Sequence, residues 1–176
     1  VEVVNELKEQ FKTKLIADVT AHLSTKLDDA LIAANNAHLA AIDEQSKPET
    51  QYDTLAIEAA YLAEGQSKRI EELKLQIVLF KELSIKAFNK NDKVGLTALV
   101  QLEKDETHEI NNTWYFLVPT AGGFSTKIQE NQQTITVLFI TPQSPIGQAI
   151  LGKTVDDDIS LTIKNKVLTT YISHLL

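Results

Sequence analysis

Residues Ser46-Lys47-Pro48-Glu49 interrupt two long stretches that repeat apolar residues at helical steps, and this one break decides most of what the chain can become. Before it, Val4, Leu7, Phe11, Leu15, Val19, Leu23, Leu27 and Leu31 recur every three or four residues, which keeps them on one helix face. After it, Ala56, Ala59, Ala63, Gln66, Ile70, Leu73, Ile77, Phe80, Ser84 and Ala87 keep the alternating three–four spacing of a coiled coil. The break joins an S-x-x-E capping box to a proline in the first turn, which is a helix start. One helix is therefore expected from Val4 to about Ile42, a turn over Asp43–Lys47, and a second helix ending near Asn89-Lys90-Asn91. Two such helices joined by a short link run antiparallel, as a hairpin roughly 60 Å long.

Glycine and proline separate this part from the rest. Residues 1–92 hold one Gly (Gly65) and one Pro (Pro48), whereas residues 93–176 hold five Gly and three Pro. The expected division is a hairpin over 1–92 and a small turn-rich domain over 93–176. Apolar-rich runs in the latter predict strands at Gly95–Leu102, Trp114–Val118, Thr134–Ile140, Ile159–Ile163 and Val167–Ile172. Asn111-Asn112, Ala121-Gly122-Gly123 and Lys164-Asn165-Lys166 are the expected turns. Ser144-Pro145 reads as an N-cap with proline at the first helical position, and Gly152 as a stop, so one short helix packs on an antiparallel sheet. The fold class is α+β.

Charge excludes some functions. The formal net charge is −7, against non-specific coating of DNA, and no DNA-specific motif is present. There is no cysteine, hence neither a disulfide nor a thiolate metal site. The sequence shows no signal-peptide core and no long apolar run, so neither export nor a membrane span is expected, and a cytoplasmic location is. His22, His38, His108 and His174 are scattered without the spacing of a zinc site. Charge also divides the hairpin. Residues 27–66 carry eight acids (Asp28, Asp29, Asp43, Glu44, Glu49, Asp53, Glu58, Glu64) and one base, Lys47. The same stretch is rich in alanine (Ala33, Ala34, Ala37, Ala40, Ala41, Ala56, Ala59, Ala60, Ala63), which lets helices approach closely. Lys8, Lys12, Lys14, Lys81, Lys86 and Lys90 form a basic band at the other end, read as a solvated face or as a contact for RNA or an acidic protein surface.

The run Ser144-Pro145-Ile146-Gly147-Gln148-Ala149-Ile150-Leu151-Gly152-Lys153, followed by Asp156-Asp157-Asp158 and a final strand pair, closely resembles the C-terminal signature of bacterial Gre-type transcript cleavage factors. The resemblance covers 93–176 in order and spacing. It extends less sharply into the hairpin through Ala59–Gln66 and Arg69–Leu73. It implies an FKBP-like C-terminal domain that binds RNA polymerase at the rim of its secondary channel, with Ser144, Pro145, Ile146 and Gly147 in the binding segment. It implies a monomer that is not itself an enzyme. Its hairpin would reach toward the polymerase active site, where two tip acids help hold Mg²⁺ and a water, and the polymerase cleaves backtracked RNA. Carboxylates suit that task because they are hard oxygen donors. The family's tip motif is of the Asp-x-x-Glu-Asn type. This chain has Lys47-Pro48-Glu49-Thr50-Gln51-Tyr52-Asp53 instead, with Asp43-Glu44 across the turn. Glu49 and Asp53 are four apart and share a helix face, with Asp43 and Glu44 as helpers, while Glu49 also completes the capping box. The resemblance therefore leaves open a factor that modulates polymerase with or without stimulating cleavage.

Two other functions stand beside this one. A non-catalytic coiled-coil adaptor would use the same helices for another protein. A prolyl isomerase would need an aromatic-lined pocket. Trp114, Tyr115 and Phe116 are consecutive on a predicted strand, so they point to alternate faces.

Overall fold

The computed structural model describes the backbone of residues 2–44, 52–103, 113–130, 133–163 and 166–176. Those residues form α1 (Glu2–Glu44), α2 (Tyr52–Lys81), β1 (Leu99–Glu103), β2 (Thr113–Leu117), β3 (Ser125–Glu130), β4 (Gln133–Ile140), α3 (Pro145–Ile150), β5 (Asp158–Ile163) and β6 (Lys166–Leu175). They divide into two compact units, Val1–Val19 with Leu83–Leu176, and Thr20–Glu82, so that α1 contributes to both.

The apolar periodicity of both long helices is realised as burial. Leu15, Val19 and Leu23 of α1 are buried, as are Leu73, Ile77 and Phe80 of α2. Thr13 and Thr25 remain compatible with the helix because each hydroxyl donates to the carbonyl four residues back, Glu9 and Ala21. The stripe does not hold as far as expected. Leu27 is half-buried and Leu31 is 44% exposed. The groove that the helices form at this level is lined by Ala30, Ala33 and Gly65, among others, and such small residues offer little surface to cover a leucine. α1 also continues through Asp43 and Glu44, so both acids are helical rather than part of the turn, while the expected capping box at Ser46–Glu49 lies outside the described residues.

The second helix ends earlier than its pattern predicts, at Lys81 instead of near Asn89. Contacts within the C-terminal unit draw this segment away from the helix, because Phe88 is buried with Val94, Ala98 and Val100.

The sheet has the order β3-β4-β2-β1-β6-β5. Four of its pairings are antiparallel; β2 and β4 are parallel, which corrects the expectation of a wholly antiparallel sheet. The cause is topological. β3 runs back along the outer edge, and β4 then turns inward between β3 and β2, in the direction of β2. β3 was not visible in the sequence. Ser-Thr-Lys-Ile-Gln-Glu has one apolar residue, as suits an edge strand that pairs on one side only. β1 begins at Leu99 rather than Gly95, because residues 95–98 close a turn through the Ala98 N–H to the Gly95 carbonyl and Thr97 takes a left-handed φ of 69°. The Ala121-Gly122-Gly123 turn is present, with Ala121 and Gly123 at positive φ. The turns expected at Asn111-Asn112 and Lys164-Asn165 lie outside the described residues.

One face of the sheet buries Val100, Leu102, Leu117, Ile140, Ile159, Leu161 and Ile172, and Ile150 of α3 closes over it with Ile146 and Ala149. On the other face Phe116 and Phe139 pack edge to face at 5.2 Å, and Phe124 meets Phe139 at 5.0 Å. Thr170 Oγ1 is buried without a hydrogen-bond partner. Thr170→Val is accordingly expected to be neutral or to stabilise by about 1 kcal/mol, measurable as a rise in urea midpoint at constant slope.

Candidate functional site

The segment singled out by the sequence, Ser144–Lys153, folds as expected. Ser144 has extended backbone and caps α3: its Oγ accepts from the Gly147 N–H at 3.1 Å and donates to the Thr141 carbonyl at 2.7 Å. Pro145 occupies the first helical position, where a missing N–H costs nothing. Gly152 follows the helix at φ 77°, the left-handed conformation glycine adopts without penalty, and its N–H donates to the Val94 carbonyl. The four candidate binding residues divide in character. Ser144 and Gly147 build the cap, Ile146 packs on the sheet core, and Pro145 is the exposed one, with Gln143 and Gln148 exposed beside it. Ser144→Ala removes one cap acceptor and should cost about 1 kcal/mol, read as a lower Tm of the full chain.

The next turn is also side-chain stabilised. The Asp157 carboxylate accepts from the Thr154 N–H at 2.8 Å and from the Thr154 hydroxyl at 3.1 Å, and these bonds, the backbone one first, hold it below the usual carboxylate range. A depressed carboxyl favours the fold above its unfolded pKa, and that contribution is lost as pH falls through the lowered value. Asp156, at φ 70°, pairs with Lys90 at 3.2 Å in an exposed bridge worth little.

In the other unit, α1 and α2 together line an open groove of about 490 Å³ formed by Asp29, Ala30, Ala33, Tyr61, Leu62, Gly65, Gln66 and Arg69. The two helices therefore lie side by side here, and the short connection from Glu44 to Tyr52 makes them antiparallel. Gly65 leaves open space where a side chain would stand, and Tyr61 and Leu62 are about two-thirds exposed. Asp28, Asp29 and Glu64 are exposed, consistent with an acidic surface along these helices. Asp43 and Glu44 lie in the last turn of α1 and Asp53 at the second residue of α2, but their side chains, and Glu49 altogether, lie outside the described residues. Among the described residues no group of three His, Asp or Glu is placed to hold a metal ion, and no helix is long and apolar enough to cross a membrane.

One side chain, Lys12, behaves differently from its sequence reading, whereas the rings of β2 sit on alternate faces as expected. Lys12, assigned to the surface basic band, is 1% exposed, whereas Lys14, Lys81, Lys86 and Lys90 are on the surface. The available signal was its place between Phe11 and Leu15, beside the apolar stripe, where a lysine stem can bury. Trp114 lies half-buried against His174, with ring centroids 6.0 Å apart, and Tyr115 packs toward the α3 face, where burial pushes its phenol up. Phe116 and Phe139 are fully buried against each other. Among the described residues these rings take part in packing, with Tyr115 set against the sheet core and Phe116 against Phe139.

The molecule is thus an α+β protein that joins a pair of long helices to a six-stranded sheet carrying one capped helix. No protein-family model matches the chain, and no curated protein sequence does. Among solved structures it is similar to that of the transcription factor Gfh1, at 18% identity and a TM-score of 0.37, covering 89% of this chain and 92% of that one. It is also similar to GreA factor homolog 1 (Gfh1) of Thermus thermophilus, at 20% identity, TM-score 0.36 and coverage of 89% and 94%. Thermus aquaticus Gfh1 matches at 21% identity, TM-score 0.36 and coverage of 88% and 92%. At these values the likeness by itself assigns no activity.

Proposed function

We propose that this chain is a transcription regulator of the Gre type, which binds RNA polymerase at its secondary channel and directs an acidic helical tip toward the active site. The observation that carries the reading is the Ser144–Lys153 segment, whose Gre-like sequence is accompanied by a capped helix set on a sheet. The alanine-rich acidic helices support it: a narrow channel admits two closely spaced helices, and carboxylates at their end meet a metal-dependent site in which Mg²⁺ polarises oxygen and activates water. Glu49 and Asp53 are the proposed acting acids, with Asp43 and Glu44 as helpers. The free protein holds Mg²⁺ weakly, because that ion gives up its waters reluctantly and is bound through few carboxylates from any one source. The chain supplies no catalytic residue to a reaction of its own.

The test uses the full chain. Binding to core RNA polymerase is measured with and without a competitor that occupies the secondary channel, and RNA cleavage and elongation are followed in stalled, backtracked complexes. The expected outcome is channel-dependent binding, with an effect on cleavage or elongation that Glu49→Gln/Asp53→Asn abolishes while binding persists. Loss of cleavage stimulation in the double variant would make the tip catalytic in trans; loss of inhibition would make it an occupant of the metal site. Binding with no change on mutation assigns Glu49 to helix capping alone. Failure to bind polymerase, with capture of a different protein, favours the adaptor reading.

A further inference from the structure

Residues 83–88 receive contradictory instructions from sequence and from tertiary structure. Ser84 and Ala87 continue the three–four register of Leu73, Ile77 and Phe80, so the sequence pattern carries α2 onward. The structure ends α2 at Lys81 and leaves 83–88 without regular secondary structure. What holds this segment is a set of side chains from distant positions in its own unit. The Lys86 N–H donates to Thr97 Oγ1 at 3.0 Å, and Lys12 Nζ donates to the Lys86 carbonyl at 2.6 Å. Both polar groups of one peptide residue are thereby held by side chains rather than by a ladder. Lys12 Nζ also lies 4.8 Å from the centroid of the Phe88 ring, which is buried in the core and touches the space beside Gly95. Thr97 is fully buried and β-branched, yet has a φ of 69°, a conformation such residues occupy only when their surroundings impose it. The lock therefore combines a buried cation, a strained threonine and an anchored aromatic ring on a segment whose sequence also encodes a helix.

We propose that residues 83–88 are a two-state strap, held out of the helix by Lys12 and Thr97 in this structure, and otherwise continuing α2. In the helical state the Lys86 amide returns to the carbonyl of residue 82, Phe88 leaves the core, and Thr97 is free to relax. The inference stands on the geometry of this strap and does not depend on the polymerase reading.

Chemical exchange in the full-length wild type, measured at the Cα carbons of residues 82–89, tests it directly. A minor state with helical shifts confined to these residues is expected. Lys12→Met and Thr97→Val, each removing one side of the lock, should raise its population roughly tenfold or more. Adding Ser84→Pro should abolish the helical shifts, since proline forbids the continued helix. A wild type without such exchange, together with variants in which 83–88 show no helical shift, overturns the proposal. A variant that unfolds globally also counts against it, because the lock would then be part of the core rather than a switch.

Discussion

Leu73→Ala is expected to destabilise the full chain by about 2–5 kcal/mol, and Ile77→Ala by a similar amount. Leu73 is 1% and Ile77 8% exposed, so each truncation removes apolar surface from a packed interior and leaves a cavity that neighbouring side chains fill only in part. The comparison that gives the result meaning is Leu62→Ala on the same helix. Leu62 is 67% exposed, and its loss should fall within about 0.5 kcal/mol. Urea unfolding followed by far-UV circular dichroism measures all three. Equal effects for Leu62 and Leu73 would show that the helix presents another face to its partner in solution.

Gly147→Val is the second change of large expected effect. A Cβ at residue 147 would overlap the Thr141 carbonyl oxygen and come within 2.9 Å of Ser144 Oγ. Both atoms belong to the cap itself, and one of them is backbone, so the strain cannot be relieved by turning a side chain away. The substitution should cost at least about 2 kcal/mol, combining the lost cap with overpacking, and so exceed Ser144→Ala. Thermal unfolding gives the order directly: a Ser144→Ala protein less stable than Gly147→Val would refute the steric account. Under the proposed function both changes should also weaken polymerase binding, and Gly147→Val the more, whereas Leu73→Ala should leave the isolated sheet unit's α3 geometry intact.

Much of this architecture was legible because its signals are local. The Ser144-Pro145 start and Gly152 stop of α3 need only a hydroxyl acceptor, a fixed φ and a residue free to turn left-handed, and all three appear in the structure as read. The stripes of α1 and α2 were legible for the same reason, as were five strands whose apolar-rich runs are separated by turn residues. β3 was not, since an edge strand of Ser, Thr, Lys, Gln and Glu with a single isoleucine carries no such run, and its identity comes from the β4 partner beside it. Of the candidate site, the α3 segment was visible as a motif, but which of its residues build the cap and which face solvent depended on the Thr141 carbonyl, which no spacing rule marks. The tip acids Asp43, Glu44, Glu49 and Asp53 were visible as charge and remain the subject of the functional test.

What the sequence by itself determined is the inventory of elements: helical periodicity, caps and turn residues act within a few residues, so each is written where it operates. Only the tertiary structure decided the parallel pairing of β2 with β4, the end of α2 at Lys81 and the burial of Lys12. Each of these is a contest between a local preference and contacts from far along the chain. At Lys86 the distant contacts come from residues 12 and 97, and they override a helical register that the neighbouring residues would otherwise extend.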